Sequence, residues 1–436
     1  MKKILFSFSL LLISVITLMS CADGDRIDQK GGMGIPLEPT IVNVKSVPGG
    51  AVIKIAIPDD PNLKGVVATY ERNGVTCESR ISRYLDTLVV EGYADESEHE
   101  VSIRSFNADD AKSEAQIVKI TPLEAPVKTA KFEAFESFGG IKIRITDNPT
   151  LAKLALVVQC DQNNADQDLA YSERKWKDVS TFFTESNSVV VSRRGLEAVP
   201  TVFAFHFRDD FGNVSETQLV KLTPKEEVAL NKKLCKHYPV ADDNFKNDTG
   251  GGGVAALFDG VYNGSGKFFL AAKGNPIPTW LTIDLGQEAS ISRIATKPRW
   301  DYMPFQSGNV REWEFWGSDV DPVEDYKNNP AKKDDADYQS RHGFSRGWFM
   351  IAKGEQYKPS GYAPDGTVDG FTSEDRDYYL NSTEYECDNT NPLTPRAFDK
   401  IRYLRIVVVN TFESWQFKQT SGGWFIGEIS PYGQIY

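Results

Sequence analysis

The sequence predicts an all-β chain of successive β-sandwiches, and three observations carry that expectation. Apolar residues recur with a period of two: Ile53, Ile55 and Ile57 alternate with Val52, Lys54 and Ala56, and Phe203, Phe205 and Phe207 alternate with Ala204 and His206. No segment sustains the 3.6-residue apolar period of an amphipathic helix. Finally, the stretch before residue 226 repeats itself. Val47-Pro-Gly-Gly-Ala-Val-Ile-Lys-Ile55 is echoed by Ser137-Phe-Gly-Gly-Ile-Lys-Ile-Arg-Ile145, Phe106-Asn-Ala-Asp-Asp110 by Phe207-Arg-Asp-Asp210, and the run Ser113–Pro122 by Ser215–Pro224. A unit of roughly a hundred residues is too long for a solenoid repeat and suits a sandwich.

The elements follow in order. Residues 1–20 read as a secretory leader: Lys2 and Lys3 precede an uncharged, largely apolar run from Ile4 to Leu18. That run falls short of the about 20 residues needed to span a bilayer. Leu18-Met19-Ser20 then leads into Cys21. This box resembles the bacterial lipoprotein signal, which implies that Cys21 is lipidated and becomes the mature N-terminus. Several acyl chains on one cysteine anchor firmly, at about 0.8 kcal/mol per buried methylene. Residues 21–39 are rich in Gly, Pro and charge and read as a flexible linker. Asp23 and Asp25 behind the cysteine resemble the export signal of surface lipoproteins in Bacteroidetes.

Residues 40–124 and 125–226 are the two repeated units. Asp210-Phe-Gly-Asn213 lies between two apolar runs and reads as a hairpin turn. The pair resembles tandem fibronectin type III domains. His206 reads as a packed strand residue. After residue 227 the composition changes: seven of the eight tryptophans lie there, with Trp176 alone before it. Trp280–Gly286 reads as a strand ending in a turn, Ile291–Thr296 as another strand, and Asp319–Arg346 as a polar insert. Ile401–Val409 is apolar on both faces and belongs in the middle of a packed sheet. Trp280, Trp313 and Trp424, embedded in strand patterns, are assigned to the core.

The formal net charge of −12 argues against nucleic acid and anionic membrane surfaces, both of which need a basic footprint. Cys77, Cys160, Cys235 and Cys387 are scattered without C-x-x-C spacing, so neither a zinc site nor a disulfide framework is indicated, although Cys235 and Cys387 could pair within the last domain. Adjacent acids occur at Asp59-Asp60, Asp109-Asp110, Asp209-Asp210, Asp242-Asp243 and Asp334-Asp335, but neighbouring carboxylates on a strand or turn diverge. A glycosidase instead needs two carboxyl groups flanking one bond. No nucleophile elbow, P-loop or dinucleotide fingerprint is present, and the chain is read as no enzyme.

In the last 200 residues or so a succession of short motifs becomes specific. Leu257-Phe-Asp-Gly260, Trp280–Gly286, Ile291–Ile294 with Pro298-Arg299, Val310–Ser318, Arg402–Ile406 and Ile426–Gly433 follow one another. Together they resemble the discoidin, or coagulation-factor type C, domain, a galactose-binding-like jelly roll, over residues 227–436. The whole arrangement resembles surface lipoproteins of Bacteroidetes polysaccharide-utilisation loci. That resemblance implies a lipid-anchored, non-catalytic protein of the outer membrane, facing the exterior. It would bind an oligo- or polysaccharide beside an outer-membrane transporter or glycoside hydrolases. The alternative it leaves open is an assembly lipoprotein whose last domain docks a protein partner.

A sugar offers an apolar C–H face and a rim of hydroxyls, so its site needs an aromatic platform beside hydrogen-bonding side chains. Two loops have that composition. Arg299, Trp300, Tyr302 and Gln306 lie in the first, and Asn410, Phe412 and Trp415 in the second. The resemblance also implies a structural Ca²⁺ with Asp259 and Glu428 as ligands. Calcium takes six to eight oxygens, so two carboxylates are only part of a shell.

Overall fold

The computed structural model describes residues 34–163, 168–246, 248–263, 267–363, 367–368, 370–381, 383–387 and 399–436. Cys21, Asp23 and Asp25 lie outside them. The described chain is all-β, with only short helices.

The first unit contains β1 (Thr40–Val47), β2 (Gly50–Ala56), β3 (Gly65–Arg72), β4 (Val75–Ser82), β5 (Thr87–Glu91), β6 (His99–Phe106) and β7 (Gln116–Ile120). They form two sheets, ordered β1-β2-β5 and β4-β3-β6-β7. The second unit contains β8 (Lys131–Ser137), β9 (Gly140–Thr146), β10 (Leu154–Asp161), β11 (Trp176–Thr184), β12 (Val189–Arg194), β13 (Thr201–Asp209) and β14 (Gln218–Leu222). Its sheets run β8-β9-β12 and β11-β10-β13-β14, the same arrangement strand for strand.

The period-two pattern sorts the faces as expected. Ile53 and Ile55 join Val66, Ala68, Val101 and Ile103 in one core, while Phe203, Phe205 and Phe207 join Ile141, Ile143, Leu156 and Val158 in the next. The shared Gly-Gly has a steric cause. The first glycine of each pair is left-handed, with φ +71° at Gly49 and +63° at Gly139. The second lies against the neighbouring strand: a Cβ would sit 1.9 Å from the Val90 carbonyl at Gly50 and 1.8 Å from that of Arg193 at Gly140.

The expected turn at Asp210–Asn213 forms, with Gly212 at φ +85° and Asp209 Oδ1 accepting from the Phe211 and Asn213 amides. It also joins the two units. Asn213 Nδ2 donates to the Gly92 carbonyl at 3.0 Å, and the Arg72 guanidinium lies 4.7 Å from the Phe211 ring centre.

The third unit comprises β15 (Val228–Ala229), β16 (Lys236–His237), β17 (Asp248–Gly251), β18 (Phe269–Ala271), β19 (Asn275–Pro276), β20 (Thr279–Lys297), β21 (Val310–Ser318), β22 (Phe349–Glu355), β23 (Thr383–Glu386), β24 (Ile401–Thr411), β25 (Ser421–Gly422), β26 (Phe425–Ile426) and β27 (Glu428–Ile435). Its large sheet runs β15-β27-β20-β24-β21-β22, and β17-β18-β26 is a small sheet. Leu281, Ile283, Ile294, Trp313, Phe315, Leu404, Ile406 and Val408 share one core with Phe269, Trp424 and Ile426.

Three expectations need correction here. The two strands read at Trp280–Gly286 and Ile291–Thr296 are one, β20. It bends at Gly286 (φ +67°), where its partner changes from β24 to β27. A bulge of this kind is locally indistinguishable from a turn in sequence. Trp280 is not in the main core. It is half-buried on the opposite face of the large sheet, with its indole N–H donating to the Asp242 carbonyl at 2.8 Å. Trp313 and Trp424 do lie in the main core. The insert at Asp319–Arg346 is more than a polar loop, because it carries the helix Pro322–Asn328 and the buried Phe344. Phe344, Trp316, Trp348, Tyr403 and Val407 make a second apolar layer over that face.

β24 is central, as its two apolar faces required. Yet Arg405, within it, is fully buried in that second layer. The guanidinium lies 4.4 Å from both the Phe344 and Trp348 ring centres and bonds both Asp242 oxygens, at 2.8 and 3.0 Å. Asp243 lies 3.3 Å away. The Cys235 thiol is free, so the pairing with Cys387 is not made, and burial pushes its pKa up to about 12.

The second and third units meet through ions. Arg194 of β12 bonds Glu227 and, at 2.9 Å, Glu386 of β23, which also pairs with Lys142 at 3.5 Å. Arg293 of β20 bonds Glu384 and Glu227.

Candidate functional site

The first aromatic loop follows β20, but the second segment is not the loop the sequence suggested: Asn410 still belongs to β24, and Phe412–Phe417 is a short helix capped by Thr411. Backbone hydrogen bonds fasten the two segments together. The Phe412 amide donates to the Asn309 carbonyl at 3.0 Å, the Glu413 amide to Ser307 at 2.9 Å and the Phe425 amide to Gly308 at 2.9 Å. The first loop is held in a costly shape. Phe305 (φ +56°) and Ser307 (φ +54°) are both left-handed without being glycine, a conformation that costs of order 1–3 kcal/mol per residue and persists only where the surroundings enforce it. The buried Asn309 does so, donating from Nδ2 to the Met303 carbonyl at 2.8 Å and the Gln306 carbonyl at 2.7 Å, while its Oδ1 accepts from the Tyr379 hydroxyl. Beneath lie Phe305, Tyr379 and Phe412, packed edge to face.

One flank of this surface is an arginine-centred aromatic cluster. The Arg299 guanidinium lies 3.8 Å from the Phe268 ring centre, 5.2 Å from Tyr302 and 5.5 Å from Phe425, and pairs with Asp301 at 2.6 Å. That pairing holds the Asp301 carboxyl below its ordinary range. Trp300 and Tyr302 remain 42% and 39% exposed, beside the exposed Met303.

The other flank is built on Arg311. It is the extra residue of a β-bulge, between Val310, paired with Thr411, and Glu312, paired with Asn410. A bulge re-aims a side chain. Arg311 lies 4.2 Å from the ring centre of the half-buried Trp415, which packs on Tyr362 at 5.2 Å. The guanidinium bonds Glu312 and Glu355, and Asn410 Nδ2 donates to Glu312 at 2.7 Å. Three buried polar atoms here have no hydrogen-bond partner among the described residues, Arg311 Nε, Asn410 Oδ1 and the Tyr362 hydroxyl. Such an atom costs about 1–3 kcal/mol.

The structure thus brings Arg299, Trp300, Tyr302 and Gln306 into the same loop-built end as Asn410 and Trp415. Phe412 is the correction: at 1% exposure it props the loops from inside and contacts nothing outside. Gln306 is half-buried and contributes its carbonyl to Asn309. Arg311, Glu312, Glu355 and Tyr362 were not expected. Only the bulge turns Arg311 toward the second loop, and no sequence pattern marks a bulge in so aromatic a strand.

Asp259 and Glu428 do come together, but their donor set does not fit calcium. Glu428 Oε1 takes Lys232 Nζ at 2.6 Å and its Oε2 accepts the Gly260 amide at 3.1 Å, while Asp259 Oδ1 accepts the Val261 amide at 2.8 Å. An ammonium therefore supplies the positive charge. No group of three or more metal-ligating side chains occurs among the described residues. Burial raises the Glu428 pKa, with Lys232 opposing the rise. Millimolar calcium or a chelator is expected to leave the unfolding midpoint unchanged. Lys232→Ala, which strands the buried carboxylate, is expected to lower it by several degrees, as scanning calorimetry would read.

Three domain families match the chain, each described as a domain of unknown function: DUF4959 over residues 36–122, DUF5126 over 121–233 and DUF5000 over 258–433. The comparison with curated proteins finds no match. Among solved structures, a SusE-like protein is 26% identical at a TM-score of 0.40, over 71% of this chain and all of its own. The C-terminal domain of a chitobiase from Bacteroides fragilis is 14% identical at a TM-score of 0.28, over 48% of this chain and 99% of its own. The family 32 CBM from Clostridium perfringens NanJ, in complex with galactose, is 13% identical at a TM-score of 0.26, over 47% of this chain and 98% of its own.

Proposed function

We propose that this chain is a lipid-anchored, non-catalytic glycan-binding protein of the outer cell surface. Its third unit is the binding head, and it assists polysaccharide capture near a transporter or glycoside hydrolases. One observation carries the reading. A loop and a short helix distant in sequence are locked into one surface that leaves Trp300 and Tyr302 exposed and Trp415 half-exposed, beside the polar side chains of Arg299, Arg311 and Asn410. Aromatic faces take the C–H side of a sugar, and fixed polar groups select its hydroxyls. The anchor rests on the sequence around Cys21.

The acid pairs support the non-catalytic part, since at least one carboxylate of each is committed elsewhere. Asp60 accepts the Leu37 and Asn62 amides, Asp110 pairs with Arg80, and Asp209 binds its own turn. Asp242 and Asp243 hold Arg405, and Asp335 accepts the Lys332 amide.

Affinity electrophoresis of the full chain in gels containing soluble polysaccharides tests the proposal. Retardation is expected in at least one gel, and Trp415→Ala is expected to weaken the affinity about tenfold, roughly 1.4 kcal/mol. Trp300→Ala should weaken it by a similar factor. A protein that migrates unretarded in pectic galactan, xyloglucan, mannan and amylopectin alike, yet captures one stoichiometric outer-membrane partner, is an assembly subunit instead.

A further inference from the structure

The second sandwich carries an aromatic platform of its own. Trp176 opens β11, the edge strand of the sheet β11-β10-β13-β14. Leu154, Leu156, Val158 and Cys160 of β10 point into the core, so the alternate residues Val157, Gln159 and Asp161 face outward. The register places Trp176 opposite Asp161, Asp178 opposite Gln159, and His206 opposite Val157. On this face Tyr171 stacks on Trp176, with ring centres 5.0 Å apart and planes 26° from parallel. The indole N–H donates to the Tyr171 carbonyl at 3.0 Å. The Tyr171 hydroxyl donates to Gln159 Oε1 at 3.3 Å, and Gln159 Nε2 donates to Asp178 at 2.8 Å. Tyr171 is nonetheless 41% exposed.

Comparison of the two repeats isolates what is special. In the first unit β3 and β4 are joined by the tight turn Asn73-Gly74, while in the second the equivalent strands β10 and β11 are joined by residues 162–175. An insertion in one copy of a repeat is where function is added. This one is fastened from below by a buried ion pair: Arg174 bonds Asp161 at 2.6 Å with both side chains almost wholly enclosed. Asp161 also accepts the Asn163 and Lys175 amides, and Arg174 Nε donates to the Leu169 carbonyl at 3.1 Å. Enclosing two charges is expensive. Here it fixes the residues that lead into β11, so that Tyr171 stacks on Trp176 beside an amide and a carboxylate. On the same face, His206 Nδ1 is buried with no hydrogen-bond partner among the described residues, and burial, with Arg208 nearby, lowers its pKa.

We propose that Tyr171 and Trp176, with Gln159 and Asp178, form a second sugar-binding platform, independent of the loops of the third unit and suited to a neutral pyranose. The outer face of Tyr171, backed by Trp176, takes the apolar C–H face, while the amide and carboxylate take hydroxyls at its edge. Two platforms on one chain raise avidity for a polymer without raising affinity for a single sugar.

The test uses the full chain in affinity gels of pectic galactan, xyloglucan, mannan and amylopectin. Tyr171→Ala, at an exposed position outside the core, is expected to reduce retardation at least threefold in a gel that retards the wild type, whereas Tyr171→Phe keeps the ring and most of the effect. A Trp300→Ala/Trp415→Ala chain is expected to retain residual retardation that Tyr171→Ala removes. Retardation identical to wild type for Tyr171→Ala in every gel, with the Trp415→Ala effect intact, overturns this proposal alone. No retardation of the wild type in any gel overturns it together with the glycan reading.

Discussion

Arg405→Ala is expected to lower the stability of the third unit by about 3–5 kcal/mol, the loss typical of breaking a buried ion pair from one side. Arg405 is fully enclosed, stacked between Phe344 and Trp348, and its guanidinium bonds Asp242 at both oxygens and faces Asp243 at 3.3 Å. Removing it opens a cavity beneath two aromatic rings and leaves two carboxylates with no cation. Thr282, which bonds both Arg405 and Asp243, loses half of its network. Guanidinium unfolding followed by tryptophan fluorescence is a suitable measurement, because Trp280, Trp316 and Trp348 belong to this layer.

The pH dependence has a definite sign. Burial already raises the Asp243 pKa, against the opposing pull of Arg405. Without the arginine, protonation relieves the stranded charge. The deficit of the variant should therefore be largest near neutral pH and narrow as pH falls toward the carboxylate range. A deficit that is flat with pH would mean that lost packing, and not lost charge pairing, is the cause.

How much of this was legible depends on whether the information is local. The Ile53/Ile55 and Phe203/Phe205/Phe207 alternations name core faces directly, since side-chain direction in a strand depends only on parity. The Gly-Gly of each repeat was legible as a repeat, but its cause, a carbonyl under 2 Å from where a Cβ would be, belongs to the neighbouring strand. The site split the same way. Composition placed Trp300, Tyr302 and Trp415 on loops that could carry a ligand, and the strand order brings the two segments together, although Trp415 stands on a short helix and not on a loop. Composition could not say that Phe412 turns inward while Trp415 stays at the rim. It also could not find Arg311, which reaches the site only because a bulge on β21 shifts the register by one. Arg405 was hidden for the opposite reason. It sits in the most apolar strand of the unit, and its partners are 162 and 163 positions away.

Asp375→Ala is expected to cost about 3–5 kcal/mol locally and to weaken glycan binding, although Asp375 is not among the proposed contacts. Fully buried, Asp375 accepts the Thr372 amide at 2.8 Å and so closes the capping box of the helix Ser373–Leu380. It also accepts the Ser360 amide and hydroxyl, at 2.8 and 2.7 Å, and pairs with the enclosed Lys358 at 3.3 Å. Burial alone would raise its pKa, but these bonds outweigh it and hold the carboxyl well below its ordinary range.

A depressed carboxylate stabilises the fold above the unfolded pKa, near 4, and that contribution is lost as pH falls through the folded value. The wild-type helix should therefore keep its tie throughout the neutral and mildly acidic range. The same helix carries Tyr379, whose hydroxyl holds Asn309, and Asn309 holds the left-handed Phe305–Ser307 segment of the first loop. Loosening the cap releases that chain of contacts in order. Binding should weaken severalfold in Asp375→Ala, as affinity electrophoresis would read. Unchanged binding alongside a destabilised helix would show that Trp300 and Trp415 hold their positions without Tyr379 and Asn309.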